Sequence, residues 1–323
     1  MISKPLPNGT KNIEELLEKL IRGNKGELDA FLTEVKVNEK LLDTETTVHC
    51  FMIGQDGSDV PRVEDLAYEI AARVLDYAIP RSEIEKAIEK DQTENTTTNI
   101  VKLKMKAKKL FTSIPNTGEG GEMLLYMLVQ SFLGYPQLLC KMPLKTSSEV
   151  HYHGSDGIHV GYDKNSKKLA IYWGESKLYQ SIDTAISNCL DSIKPFLFDD
   201  STQGPTSRDM QLITSNLDVI SEELEDVLLK YLNPADPLYK KLQYRAVCLI
   251  GFDEGSYPKG PNEKIEELVK EDINKSLINW HNKINSKIKL RQPLDTFKIE
   301  IFLIPFPSVG KFREFFLGGL QYV

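Results

Sequence analysis

The stretch that most constrains this chain is residues 157–174. Two runs of strand-forming residues, Gly157 to Tyr162 and Lys168 to Gly174, flank the turn-rich DKNSK at 163–167. Alternating apolar residues either side of so compact a turn specify a β-hairpin. With the turn centred on Asn165 and Ser166, an antiparallel register places Asp156 opposite Glu175. Residues opposed on one sheet face lie about 4.5–5.5 Å apart at Cβ. Side chains alternate along a strand, so Glu175 and Lys177 share a face and Ser176 points away from it.

Helices and further strands are expected around the hairpin. Short helices are read at 13–21 and 26–35, and a strand at 47–53. Val63, Leu66, Ala67, Ile70, Ala71, Val74 and Ala78 recur at helical spacing up to Pro80. Polar residues 91–98 read as a linker. Residues 99–111 carry Lys102, Lys104, Lys106, Lys108 and Lys109. Their alternation with apolar residues fits a strand and their Lys/Ala content fits a helix, so both remain open. A basic run of this kind can bind a nucleic-acid backbone or simply form a solvated face. The helix at 119–133 is apolar nearly all round, as buried helices are. A short strand follows at 137–142. After Lys177 a helix with Gln180 in its first turn runs to about Phe196. Then come a loop at 200–208, helices over 209–232, a strand at 246–252, a charged helix at 262–287, a strand at 297–304 and a last helix at 310–320.

Composition narrows the class. The chain has 323 residues, 41% hydrophobic and 27% charged, which suits a soluble globular protein. No run approaches the about 18–20 apolar residues of a membrane span, and the first ten residues lack a signal-peptide core. Cys50, Cys140, Cys189 and Cys248 are widely spaced, which argues against a disulfide framework or zinc site and makes a reducing cytoplasm the expected location. No GxxxxGK[ST] occurs, so the chain is not itself a P-loop ATPase. The net charge is −7. Nucleic acid is gripped largely by neutralising phosphates. An acidic chain would therefore need a local basic surface, or a partner that holds the substrate.

Cutting a phosphodiester takes anionic ligands for a divalent metal, an activated water and positive charge facing the transition state. Asp156 and Glu175 supply two carboxylates, and the Ser176 carbonyl a further oxygen. Lys177, beside them, can orient the water and stabilise the developing charge. Mg²⁺ takes one or two carboxylates and keeps its waters, so it is the expected ion, with Mn²⁺ as an alternative. Glu122, leading the apolar helix, is a candidate third acid, with Glu119 as the alternative; a first-turn Glu is also favoured by the helix dipole alone. His151, His153 and His159 surround Asp156. An HxH pair can bind metal, but a supporting or structural role is the simpler assignment for all three. His49 and His281 are expected to be structural.

Glu122, Asp156 in HGSDGIHV and GESK at 174–177 resemble the PD-(D/E)xK nuclease pattern. More narrowly, TGEGGEMLLYML, HGSDGIHVGYD and YWGESKLY are similar to the HamA family, the nuclease subunits of the Hachiman anti-phage system. The resemblance runs from about Thr47 to Leu320. It implies a restriction-endonuclease-like α/β fold: a mixed sheet flanked by helices, with N-terminal and C-terminal elaborations. Residues 1–98 would form a mostly helical region with one strand. Residues 99–323 would form the nuclease domain, with core motifs at 117–180 and an α/β extension at 200–323. It further implies metal ligation by Asp156 and Glu175, a catalytic Lys177, an accessory Glu122, DNA as substrate and the helicase subunit HamB as restraining partner. Ser155 stands where the superfamily usually has proline. Two other functions stay open: a catalytically inactive nuclease-fold scaffold or DNA-sensing subunit, and a sequence-specific restriction or repair nuclease.

Overall fold

A computed structural model describes residues 12–111, 118–144, 154–198 and 204–322. Its frame is one six-stranded mixed sheet, in chain order β1 (Leu32–Lys40), β2 (Thr46–Ile53), β3 (Gly157–Asp163), β4 (Lys168–Tyr179), β5 (Leu242–Asp253) and β6 (Ile299–Phe306). The spatial order is β1-β2-β6-β5-β4-β3. The four central strands are mutually parallel, and antiparallel pairings attach β1 and β3 at the edges. Parallel strands are covered on both faces and therefore read as continuous apolar runs. β6 is such a run, and so is β5 from Ala246 to Phe252, where it is buried without a break. β1 alternates instead, as an edge strand with a wet face does.

Eleven α-helices occur among the described residues: α1 (Asn12–Glu18), α2 (Val63–Ala72), α3 (Val74–Ala78), α4 (Arg81–Glu94), α5 (Thr98–Lys108), α6 (Glu119–Leu128), α7 (Ile182–Leu197), α8 (Pro205–Ser215), α9 (Glu222–Leu232), α10 (Glu266–Lys289) and α11 (Val309–Tyr322). α6 packs on one face of the sheet with α2 and α11 beside it, and α7 covers the other face with α10 against it. Leu66, Ile70 and Val74 are fully buried, as are Ile186, Cys189 and Ile193 of α7. No helix among the described residues is long and apolar enough to cross a membrane.

Several elements differ from the sequence expectation. Residues 26–31 are turns that lead into β1, where a helix was expected. The alternating LTEVKVNEK pairs with β2 along the sheet edge, and that pairing overrides local helix propensity. The first half of the polar segment at 91–98 belongs to α4, and its last residue opens α5. Asp91 is buried there and accepts from the Asn99 and Ile100 amides, so it caps α5. That cap favours the helical alternative at 99–111. The stretch at 137–142 forms only an isolated bridge, Gln137 to His159. β4 continues through Lys177 to Tyr179, and Gln180 precedes the Ser181 cap of α7 rather than lying in its first turn. The C-terminal region supplies β5 and β6, the two strands at the centre of the sheet.

Candidate active site at the end of strand β3

The hairpin keeps the expected register from Asp163–Lys168 down to Gly157–Gly174. Asp163 fixes its turn by accepting from the Asn165 and Ser166 amides. At the far end the register changes. The Asp156 amide donates to the Gly174 carbonyl at 2.8 Å. Residues 156 and 157 thus both face Gly174, two against one, as in a β-bulge. Residue 174 is tightly placed here, since a Cβ on Gly174 would lie 3.2 Å from the Gly157 oxygen. Asp156 therefore does not sit squarely opposite Glu175. Its Oδ2 reaches along β4 and accepts the Ser176 amide at 2.8 Å. That carboxylate takes the place a longer β3 would fill with a backbone oxygen.

Glu175 is 4% exposed. Its Oε1 accepts from the Lys177 ammonium at 2.5 Å, and Ser192 of α7 also hydrogen-bonds it. Burial, then the Asp156 charge, pushes its pKa up to about 7, against the pull of Lys177. Burial acts to lower the Lys177 pKa, but the charges of Glu175 and Asp156 outweigh it and hold it above the ordinary lysine value. The structure thus brings Asp156, Glu175 and Lys177 into one electrostatic unit.

Glu122 approaches from the α6 face and accepts from the Tyr77 hydroxyl at 3.2 Å. Burial foremost, then the charges of Glu122 and Asp156, raises the Tyr77 pKa well above its ordinary value. Tyr77 of α3 therefore stands within electrostatic reach of both acids. The helix comes this close because residue 121 is glycine: a Cβ there would sit 2.5 Å from Ser176 Oγ and Leu178 Cδ1. Glu119 is buried one helical turn earlier.

Sequence reasoning missed Tyr77, Lys141 and Asp209. Lys141 is buried and donates to the Ser155 carbonyl at 2.7 Å, to Ser155 Oγ at 3.0 Å and to Asp209 of α8 at 2.9 Å. Burial lowers its pKa, opposed by Asp209 and by the charges of Asp156 and Glu122. One signal was legible: Lys141 is the lone charge in the apolar run LLCKMPL at 138–144. Tyr77 and Asp209 had none, because their neighbours are remote in sequence.

Of the histidines, His151 and His153 lie outside the described residues. His159 is buried with Nδ1 3.0 Å from the Tyr135 carbonyl oxygen, and burial lowers its pKa to about 4. It is a neutral packing residue facing Tyr126. His49 pairs with Glu300 at 2.9 Å. The four cysteines are free and buried.

No group of three or more His, Cys, Asp or Glu side chains poised to hold a metal occurs among the described residues. The available donors are two carboxylates, Asp156 and Glu175, and the Ser176 carbonyl. In a strand that carbonyl points the same way as its own amide, toward Asp156. Ser176 Oγ is buried without a hydrogen-bond partner among the described residues. An all-oxygen set with two acids fits a hard ion that keeps its own waters.

Comparison with known proteins adds one match. The family model for HamA matches residues 29–319, nearly the whole chain. No curated protein matches.

Proposed function

We propose that this chain, which belongs to the HamA family, the Hachiman defence component, is a metal-dependent deoxyribonuclease of the PD-(D/E)xK type. One observation carries the proposal: Asp156, Glu175 and Lys177 converge at the end of β3 as a coupled charge cluster. The Asp156 charge acts to raise the Glu175 pKa, and a cation between two such acids would relieve that repulsion.

Asp156 and Glu175, with the Ser176 carbonyl, would hold Mg²⁺, and Mn²⁺ suits the same oxygens. When bound, the ion supplies Lewis-acid polarisation of the phosphate and lowers the pKa of a coordinated water. The chain's own groups do the rest. The Glu175 carboxylate aims the Lys177 ammonium into the site. Lys177 orients the attacking water and meets the negative charge that gathers on the phosphoryl oxygens as the P–O bond breaks. The charges of Glu175 and Asp156 favour its cationic form, which suits an electrostatic role. Glu122, tethered by Tyr77, supplies a third acid on the α6 side.

Family membership places the chain in a Hachiman context. The acidic net charge and the missing P-loop support a division of labour in which the helicase HamB grips and translocates DNA while this chain cuts. The test is plasmid and linear DNA incubated with Mg²⁺, with and without HamB. Cleavage should be smeared and should be lost in Glu175→Ala and Lys177→Ala. Cleavage surviving both substitutions removes the site assignment. Discrete bands would point to a sequence-specific enzyme, and no cleavage under any condition to a scaffold.

A further inference from the structure

Ser155, the residue before Asp156, is boxed in on every polar atom. Its carbonyl and hydroxyl oxygens both accept from Lys141. Its amide reaches Asp209 Oδ2 at 3.4 Å. Its hydroxyl lies 3.2 Å from Asp209 Oδ2 and 3.2 Å from the Gly157 carbonyl. Ser155 is 3% exposed and Asp209 1%. Lys141 precedes Ser155 by fourteen residues, and Asp209 comes from α8 beyond the hairpin and α7. Three segments remote in sequence therefore meet in one buried ion-pair network. Its centre adjoins the residue whose amide and carboxylate cap the end of β3.

We propose that Lys141 and Asp209 are a pair of positioning residues that set the Asp156 carboxylate for metal binding, and that α8 is thereby part of the active-site scaffold. The inference rests on the nuclease reading for its activity measurement, though not for its binding measurement. A buried ion pair is a costly way to hold a chain together, and apolar residues of similar volume often do as well. What the pair adds is direction. Lys141 fixes the carbonyl and Asp209 the amide of one peptide neighbour, so the backbone entering Asp156 cannot rotate. Free rotation there would release the bulge that turns the Asp156 side chain toward the Ser176 amide. The charges of Asp156 and Glu122 also act on Lys141, so the network and the acids are electrostatically linked.

The experiment uses the full chain and the paired variant Lys141→Met/Asp209→Leu, which removes both buried charges together and so leaves neither unpaired. Mn²⁺ affinity is measured by calorimetry without DNA, and the Mg²⁺ midpoint of cleavage with DNA. Loss of an outer-shell partner typically weakens metal binding about 10–100-fold. The paired variant should keep a wild-type circular dichroism spectrum, bind Mn²⁺ at least about tenfold more weakly and need correspondingly more Mg²⁺. A folded paired variant with wild-type Mn²⁺ affinity overturns the proposal. Should that variant not fold, Asp209→Asn keeps the shape of the side chain and carries the same test with the same two outcomes. A wild-type chain that binds Mn²⁺ but cuts nothing overturns the proposed activity alone, and the Mn²⁺ comparison still decides the positioning role. A wild-type chain that binds no Mn²⁺ overturns both.

Discussion

Glu175 is a carboxylate in a setting where charge is costly. Burial and Asp156 oppose its ionisation, and Lys177 favours it without cancelling them. Near neutral pH a cation must therefore compete with a proton, because carboxylate ligands bind metal deprotonated. Metal affinity should fall as pH drops through about 7, and binding should release protons. Calorimetry in two buffers of different ionisation enthalpy measures that release, and Glu175→Gln should abolish most of it. His159 works in the opposite sense. Its folded pKa lies near 4 against an ordinary 6.5. The unfolded chain takes up the proton first as the medium is acidified, so the stability it contributes is full above 6.5 and is lost as pH falls toward 4. Glu175, its pKa raised to about 7, shifts wild-type stability the other way over the same range, so the His159 contribution is read as a difference: between about pH 7 and about pH 5, His159→Gln should lose about 1–2 kcal/mol less stability than wild type in urea melts. The three acids and the lysine were readable from type and spacing. Tyr77 and Asp209 were not, since each acts through a neighbour that the fold alone supplies.

Among the elements, the contact between α6 and β4 sets the depth at which Glu122 enters. Gly121 permits it, and an added methyl group would overlap Ser176 and Leu178. Gly121→Ala should cost about 1–3 kcal/mol of unfolding free energy, by the usual penalty for overpacking. Gly121→Val should cost more and should lower cleavage further, by lifting Glu122 from the site. Denaturant melts read the first effect, and cleavage rates at saturating Mg²⁺ the second. The same level shows where local pattern misleads. LTEVKVNEK is a strand because β2 lies alongside it, and most of the lysine run lies in a helix, Thr98–Lys108, whose N-terminus is capped by Asp91 from the preceding helix. Residues 157–174 needed no such help, because the turn and the alternation agree. Only the last step of that hairpin departs from the simple register, at the bulge on Asp156.

For the whole molecule, the site is assembled from segments that the sheet order holds together. Glu122, Asp156 and Glu175 approach from α6, the end of β3 and the middle of β4. Arg81 at the start of α4 is a second buried tie between distant segments. It donates to the Leu20 carbonyl at 2.8 Å, to the Asp218 carbonyl at 2.7 Å and to the Asp218 carboxylate at 2.6 Å. Asp218 in turn donates its amide to Leu138, beside β3. Asp218→Ala leaves a buried guanidinium unmatched and should cost about 3–5 kcal/mol in a denaturant melt. Arg81→Met/Asp218→Leu should recover most of that loss, since both charges leave together. A paired variant as unstable as the single one would mean that packing, not charge, carries the tie.

Residue types and their periodicity determined the hairpin, the buried helix at 119–133, the helix that follows Lys177 and the three charged residues on either side of one turn. These depend on neighbours a few residues away, and local sterics and side-chain alternation act over that range. The family resemblance drawn from the same motifs holds over residues 29–319. The tertiary structure alone decided that β5 and β6 stand at the centre of the sheet, that Asp156 turns through a bulge to cap β4, and that Lys141 and Asp209 close around Ser155. Each of these rests on contacts between residues far apart in the chain. Loop-closure entropy and burial select such contacts together, and no single segment encodes them.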